Sequence, residues 1–156
     1  MEIGTVEQTL PGLGGANGPR TEMSSERSLS IAPQKRLAVV AGSSHPLLAE
    51  KIAGHLNVEL TARQLKTFAD GETYCRFEES VRGTDMFIVQ TAAKPVSQAL
   101  MELLIMVNAA RLASAKRITA VIPWFFYSRQ DKKSRPREPI TARLVADLLE
   151  TAGVDR

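Results

Sequence analysis

Leu37-Ala38-Val39-Val40-Ala41-Gly42-Ser43-Ser44-His45-Pro46 is the stretch on which the fold turns. Its five apolar residues run without alternation, which fits a strand buried on both faces rather than one with a wet side. Gly42-Ser43-Ser44-His45-Pro46 then stops the strand and opens a helix. Ser44 or His45 serves as N-cap and Pro46 takes the first helical position. Leu48, Ile52 and Leu56 supply that helix with its expected buried stripe.

The same grammar continues outward. Glu59 to Phe68 and Thr73 to Phe77 read as extended segments around the turn Ala69-Asp70-Gly71-Glu72. Met86 to Gln90 is a second buried strand. Ser97 to about Lys116 contains no Gly or Pro, and its apolar residues (Leu100, Met101, Leu103, Leu104, Ile105, Met106, Val107) cover nearly every face, so a helix buried on several sides is expected. Arg117 to Pro123 gives another strand. Ile140, Leu144, Val145, Leu148 and Leu149 mark a last amphipathic helix ended by Gly153 at C′. Strands and helices alternate, which argues an α/β fold with a doubly wound, mostly parallel sheet. A helix after a parallel strand is a crossover that returns the chain as a further strand. The chain stops at Val154-Asp155-Arg156, where that strand is due, so the sequence reads as cut.

Composition bounds the rest. The 156 residues are 44% hydrophobic and 24% charged, the balance of a globular domain rather than a disordered chain. No apolar run approaches the roughly 18 residues of a membrane span. No basic stretch followed by an apolar core opens the chain, so no secretory signal is expected and a cytoplasmic location is. The single cysteine, Cys75, excludes an internal disulfide and a multi-cysteine metal site. Residues 1–35 hold half of the ten glycines and no periodicity, and read as a flexible tail. The globular domain is expected over residues 36–156.

The net charge is only +3, but it is unevenly placed. Arg129, Lys132, Lys133, Arg135, Arg137 and Arg143 stand against only Asp131 and Glu138 in one segment. An anionic partner is expected there. Within it, Tyr127-Ser128-Arg129-Gln130-Asp131-Lys132-Lys133 follows a strand end, the usual ligand side of an α/β sheet. Arg129 offers a planar fork for phosphate, and Gln130 both a donor and an acceptor for a base or ribose. On composition alone a solvated basic loop is the competing reading. Nucleic acid is disfavoured, because Trp124, Phe125, Phe126 and Tyr127 precede the basic residues instead of alternating with them.

Other segments are plainer. Asp70-Gly71 is a hairpin signal, so a simple β-turn competes with a ligand role in which Phe68 stacks and Asp70 and Glu72 accept from an exocyclic amine. The Gly42–His45 loop has neither dinucleotide nor Walker spacing. His45 is read as a cap and His55 as solvent-facing. Two separated histidines and one cysteine assemble no metal-ligand or nucleophile–His set. No catalytic residue and no metal ligand is assigned.

In order, Gly42-Ser43-Ser44-His45-Pro46, Phe68-Ala69-Asp70-Gly71-Glu72 and Glu79-Ser80-Val81-Arg82-Gly83 are followed by Leu100 to Met106, Arg117 to Pro123, Arg129 to Lys133 and Arg137 to Ala142. This series, spanning about Leu37 to Arg156, resembles the N-terminal half of the ribose-phosphate pyrophosphokinases. The resemblance implies a phosphoribosyltransferase-like fold, in its N-terminal half only. It also implies transfer of the β,γ-diphosphoryl group of MgATP to ribose 5-phosphate, giving phosphoribosyl pyrophosphate and AMP for nucleotide biosynthesis. Arg129 and Gln130 are implied as ATP contacts. Phe68, Asp70, Gly71 and Glu72 are implied to hold the adenine of ATP bound to a neighbouring subunit of a homo-oligomer. Ser80, Arg82 and Ser114 match a regulatory phosphate or ADP site, with Arg137 contributed across a subunit contact.

The sequence departs from the family where Pro136 stands for a usual Ser, and where Ser97-Gln98-Ala99 stands for a usual Asn-Asp pair. The family's Mg²⁺ ligands, its mobile basic loop and its ribose 5-phosphate loop would all lie beyond Arg156. The chain alone is therefore expected to lack synthetase activity. An alternative is a non-catalytic, nucleotide-binding or regulatory homologue that associates with full-length subunits.

Overall fold

The computed structural model describes residues 36–156. The expected tail lies outside the described residues. Strand β1 (Leu37–Ala41) leads into α1 (Pro46–His55), and then an antiparallel pair, β2 (Arg63–Thr67) and β3 (Thr73–Phe77), precedes β4 (Asp85–Val89). Helix α2 (Val96–Leu112), β5 (Arg117–Val121), a single 3₁₀ turn at Ser128–Gln130 and α3 (Thr141–Ala152) complete the order. The main sheet runs β1-β4-β5, all parallel, with Ala41 opposite Val89 and Val89 opposite Val121.

Two faces of that sheet are covered separately, as a buried parallel sheet requires. Val39, Ala41 and Val89 pack with Ala49 and Ala53 of α1. Ala38, Val40, Met86, Ile88 and Ile118 point the other way, onto Leu100, Leu103, Met106, Val107 and Ala110 of α2 and Val145 and Leu149 of α3. Period-two alternation along β1 thus feeds two cores, and the sheet is doubly wound. The hairpin β2–β3 packs through Leu65, Cys75 and Phe77 on the α2 core.

Several expectations need correction. The buried residues of α1 are Ala49 and Ala53; Leu48 and Ile52 only flank them, and Leu56 is 50% exposed. A helix lying close on a sheet fills its contact line with small side chains and leaves larger ones at the margins. The first extended segment is shorter than Glu59 to Phe68. Leu60 makes one parallel bridge to Val39 on the outer edge of β1, and β2 starts only at Arg63, after the chain leaves that edge. Helix α2 is not buried all round, for Met101 is 54% and Leu112 78% exposed. It ends at Leu112, where Ser114 takes a left-handed φ of 61°. In α3, Leu144 and Leu148 face outward, while Val145 and Leu149 carry the packing. The capping expectations hold: the His45 ring accepts from Leu48 N–H, and Gly153 closes α3 at φ 115°.

Beyond α3, Val154 turns back to the sheet. Asp155 N–H donates to Ile118 O at 2.8 Å, Ala120 N–H to Arg156 O at 2.8 Å, and Ile118 N–H to the Asp155 carboxylate at 2.7 Å. The outer edge of β5 is therefore occupied by this short extended segment.

Candidate functional site

The carboxyl ends of β4 and β5 open into a cleft. Ala92 N–H donates to Trp124 O at 3.0 Å, and Trp124 N–H to Thr91 Oγ at 3.1 Å, which ties the loops after the two strands together. Phe126, fully buried, anchors the second loop in the α2–α3 core. Tyr127 then adopts a left-handed φ of 55°, which turns the chain abruptly into the Ser128–Gln130 turn. Strain of this kind persists only where its surroundings hold it. Here the buried ring on one side and a Ser97–Tyr127 hydrogen bond of 2.7 Å on the other do so.

The cleft measures about 340 Å³ and is lined by Lys94, Val96, Trp124, Tyr127, Arg129 and Gln130, among others. Trp124 is 59% exposed, an unusual position for the one tryptophan of the chain. Gln130 accepts from the Thr141 hydroxyl at the start of α3, while its amide nitrogen has no partner among the described residues. Arg129, Lys132, Lys133, Arg135 and Arg137 make no ion pair among the described residues. Glu138 does not neutralise them directly. Its carboxylate accepts from Ser134 and Arg135 N–H, both at 2.8 Å, and so shapes the basic loop instead. An aromatic face, a guanidinium fork and an amide on one wall suit a ligand with a flat ring and a phosphate tail.

The turn residues lie elsewhere. Phe68 N–H donates to Glu72 O at 2.8 Å, Gly71 holds φ 94°, and Asp70 accepts from Glu72 N–H at 3.1 Å, so the hairpin tip folds as its turn chemistry dictates. Phe68 remains 54% exposed and meets Tyr74 edge-on at 6.3 Å. Asp70, Gly71 and Glu72 border a broad groove of about 700 Å³ with Ser97, Gln98, Met101 and Ile105 of α2. Val96 borders the Arg129 cleft and Ser97 this groove, so the two expected halves of an ATP site flank the start of α2 without sharing one cavity.

A third group sits at the opposite end of the sheet. Ser80 and Arg82 line a hollow of about 360 Å³ with Cys75, Arg76, Ala109 and Ala113. Gly83 N–H donates to Ser114 O at 2.8 Å, which brings the Glu79–Gly83 segment beside Ser114. Arg137, at φ 71° in the basic loop, is not among the residues that line this hollow. Burial pushes the Cys75 thiol up from its ordinary pKa; the Arg63 charge pulls it back and the Glu102 charge adds to the rise.

Sequence reasoning missed a buried polar cluster. Glu102, set among the apolar residues of α2, is 5% exposed and accepts from Ser43 N–H at 2.6 Å, Ser43 Oγ at 2.7 Å and Gln90 Nε2 at 2.9 Å. Gln90 in turn accepts from Ser44. Gly42 belongs to the same arrangement, since a Cβ there would meet Gln90 Oε1 at 2.2 Å. An acidic residue at a core position of a helix was the available signal, because such a group is buried only with partners.

Fold and cleft together define a phosphoribosyltransferase-like α/β domain. The family described as the N-terminal domain of ribose phosphate pyrophosphokinase matches residues 37–153, and the chain belongs to it. The resemblance carried by the sequence motifs is borne out. Relatives include the ribose-phosphate pyrophosphokinase of Corynebacterium efficiens, 55% identical over 122 residues, with 78% of this chain and 38% of that one covered. The Mycobacterium tuberculosis protein of the same name is 55% identical over 123 residues, covering 79% of this chain and 38% of its own. Among solved structures, phosphoribosylpyrophosphate synthetase from Mycobacterium smegmatis superposes with a TM-score of 0.77 at 56% identity, covering 78% of this chain and 41% of that one. The chain thus spans about 38% of the length of these relatives.

Proposed function

We propose that this chain supplies part of the ATP site of a ribose-phosphate pyrophosphokinase, which makes phosphoribosyl pyrophosphate and AMP from ATP and ribose 5-phosphate in the cytoplasm. The observation that carries this reading is the convergence of Trp124, Arg129 and Gln130 on one cleft at the carboxyl ends of β4 and β5. Arg129 pairs with phosphate oxygens through its fork, and the free amide of Gln130 donates to the sugar or base. Lys94 adds a positive charge on the facing loop. Together they orient a nucleotide and neutralise part of its charge, the two contributions on which phosphoryl transfer mainly depends.

On this reading the exposed hairpin tip, with Phe68, Asp70, Gly71 and Glu72, reaches the nucleotide of a second copy in a homo-oligomer. The open face of Phe68, and the separate cavities that the hairpin tip and Arg129 border within one chain, support that division of labour. Ser80, Arg82 and Ser114 form a regulatory phosphate or ADP site at the far end of the sheet, completed by Arg137 of another copy. Magnesium would screen the reacting phosphates in the whole enzyme. Among the described residues no three His, Cys, Asp or Glu side chains gather as a metal site.

The test uses the one tryptophan as reporter. ATP added to the purified chain is expected to quench Trp124 fluorescence saturably, ribose 5-phosphate is not, and Arg129→Ala is expected to move the quench to about tenfold or more higher ATP. A folded chain whose fluorescence and calorimetry ignore ATP overturns the nucleotide reading. Release of AMP from ATP and ribose 5-phosphate by the chain alone would overturn the expectation that it does not turn over by itself.

A further inference from the structure

Glu102 is a buried carboxylate without a cation. It is 5% exposed and forms no ion pair among the described residues. Its charge is met by donors of the kind a bound phosphate uses: the Ser43 N–H and hydroxyl, from the loop between β1 and α1, and the Gln90 amide at the end of β4. Backbone N–H groups between a strand and a helix are a general anion site.

The position of this cluster in the topology matters as much as its chemistry. The crossover from β1 runs over one face through α1 and reaches the outer edge of β1 at Leu60. The crossover from β4 runs over the opposite face through α2 and reaches β5 on the other side. The strand order therefore switches between β1 and β4, and open α/β sheets take their ligands in the crevice beyond the carboxyl ends of the strands at that switch point. A crevice of about 240 Å³ lies there, lined by Ser43, Ser44, Lys94, Pro95, Gln98 and Glu102.

We propose that Glu102 is a built-in anion that fills the switch-point nest of this domain, and that the nest takes a phosphate group once that carboxylate is removed. The helix supplies from inside what a ligand would supply from solvent. Phosphate compounds are thereby excluded from this crevice. Ser44 completes the seat, because its N–H and hydroxyl both donate to Gln90 Oε1, while its hydroxyl oxygen accepts from Thr91 N–H at 3.0 Å. The exposed Lys94 on the crevice wall provides the positive charge that an entering phosphate would meet first.

The experiment follows the amide resonances of Ser43 and Ser44 in the isotope-labelled chain during titration with inorganic phosphate, against chloride at equal ionic strength. In the unaltered protein neither amide is expected to shift saturably. In Glu102→Ala both are expected to, and phosphate or acetate is expected to raise that variant's melting temperature, as a ligand of the folded state must. Glu102→Gln keeps the nest filled and is expected not to respond. Saturable shifts at Ser43 and Ser44 in the unaltered protein overturn the proposal, and so does a folded Glu102→Ala variant that ignores phosphate. Should Glu102→Ala be unfolded in chloride, its folding on addition of phosphate or acetate supports the proposal. Its failure to fold in either, while Glu102→Gln folds, overturns it.

Discussion

The Ser97 hydroxyl and the Tyr127 hydroxyl share a hydrogen bond of 2.7 Å, joining the first turn of α2 to the loop that carries Arg129. Ser97 borders the hairpin groove and Tyr127 the aromatic–basic cleft, so this one contact links the walls of both cavities. It is exposed, and replacing Tyr127 by Phe removes the bond without leaving a buried group unpaired. A loss of about 0.5 kcal/mol in urea unfolding is expected, the low end of the usual range.

Phe126→Ala is expected to be far more damaging. The ring is fully buried and is the inner anchor of the cleft loop. Large-to-small changes of this type cost about 3–5 kcal/mol. Chemical denaturation checks the stability, and the Trp124 emission maximum reports whether the neighbouring loop has moved.

Arg129→Ala leaves the core untouched, because the side chain is exposed and without an ion pair among the described residues. Its melting temperature should match the parent. Its affinity for ATP should fall by the equivalent of about 1.5–3 kcal/mol, the range for a hydrogen bond to a charged group. Calorimetry gives both the affinity and its dependence on salt.

Gly42→Ala tests the close approach of a loop to a buried amide. The added Cβ would meet Gln90 Oε1 at 2.2 Å and Cδ at 2.5 Å, and Gln90 is 1% exposed and held by hydrogen bonds to Ser44, Ala99 and Glu102. Overpacking on this scale costs about 1–3 kcal/mol. A melting temperature equal to the parent's would show that the Gln90 side chain can be displaced freely.

Cys75 gives a pH-dependent outcome. Its thiol pKa is raised, chiefly by burial, so alkylation by iodoacetamide should require a more alkaline solution than alkylation of free cysteine. The folded state holds that proton more tightly than the unfolded chain does. The resulting stabilisation is fully present below the unfolded thiol's pKa and is lost as pH rises through the folded value. Comparing Cys75→Ala with the parent across that range isolates the effect.

Much of the architecture was legible from residue order alone. Leu37–Ala41 and Met86–Val89 announce buried strands because water touches neither face of a parallel sheet, and the Asp70-Gly71 turn leaves the chain few alternatives. Helix faces were harder. Leu48, Ile52 and Leu56 share a stripe by periodicity, yet Ala49 and Ala53 are the residues pressed on the sheet, because closeness of approach is a tertiary property. The cleft was half legible: Arg129 and Gln130 stand out by chemistry, whereas Trp124 and Lys94 join them only when two loops cross. Glu102 stood out only as an acidic residue on an apolar helix, and the cluster it makes did not, since its three donors come from residues 12 to 59 positions away.

Both borders of the parallel sheet are hemmed. Leu60 bridges Val39 along the free side of β1, and Asp155 with Arg156 lies along the free side of β5. An unhemmed border offers a row of vacant amides and carbonyls on which a strand from another molecule can grow. Here that template is interrupted on each flank by the chain itself. The sheet therefore offers another copy of the domain little to grow on by adding strand to strand.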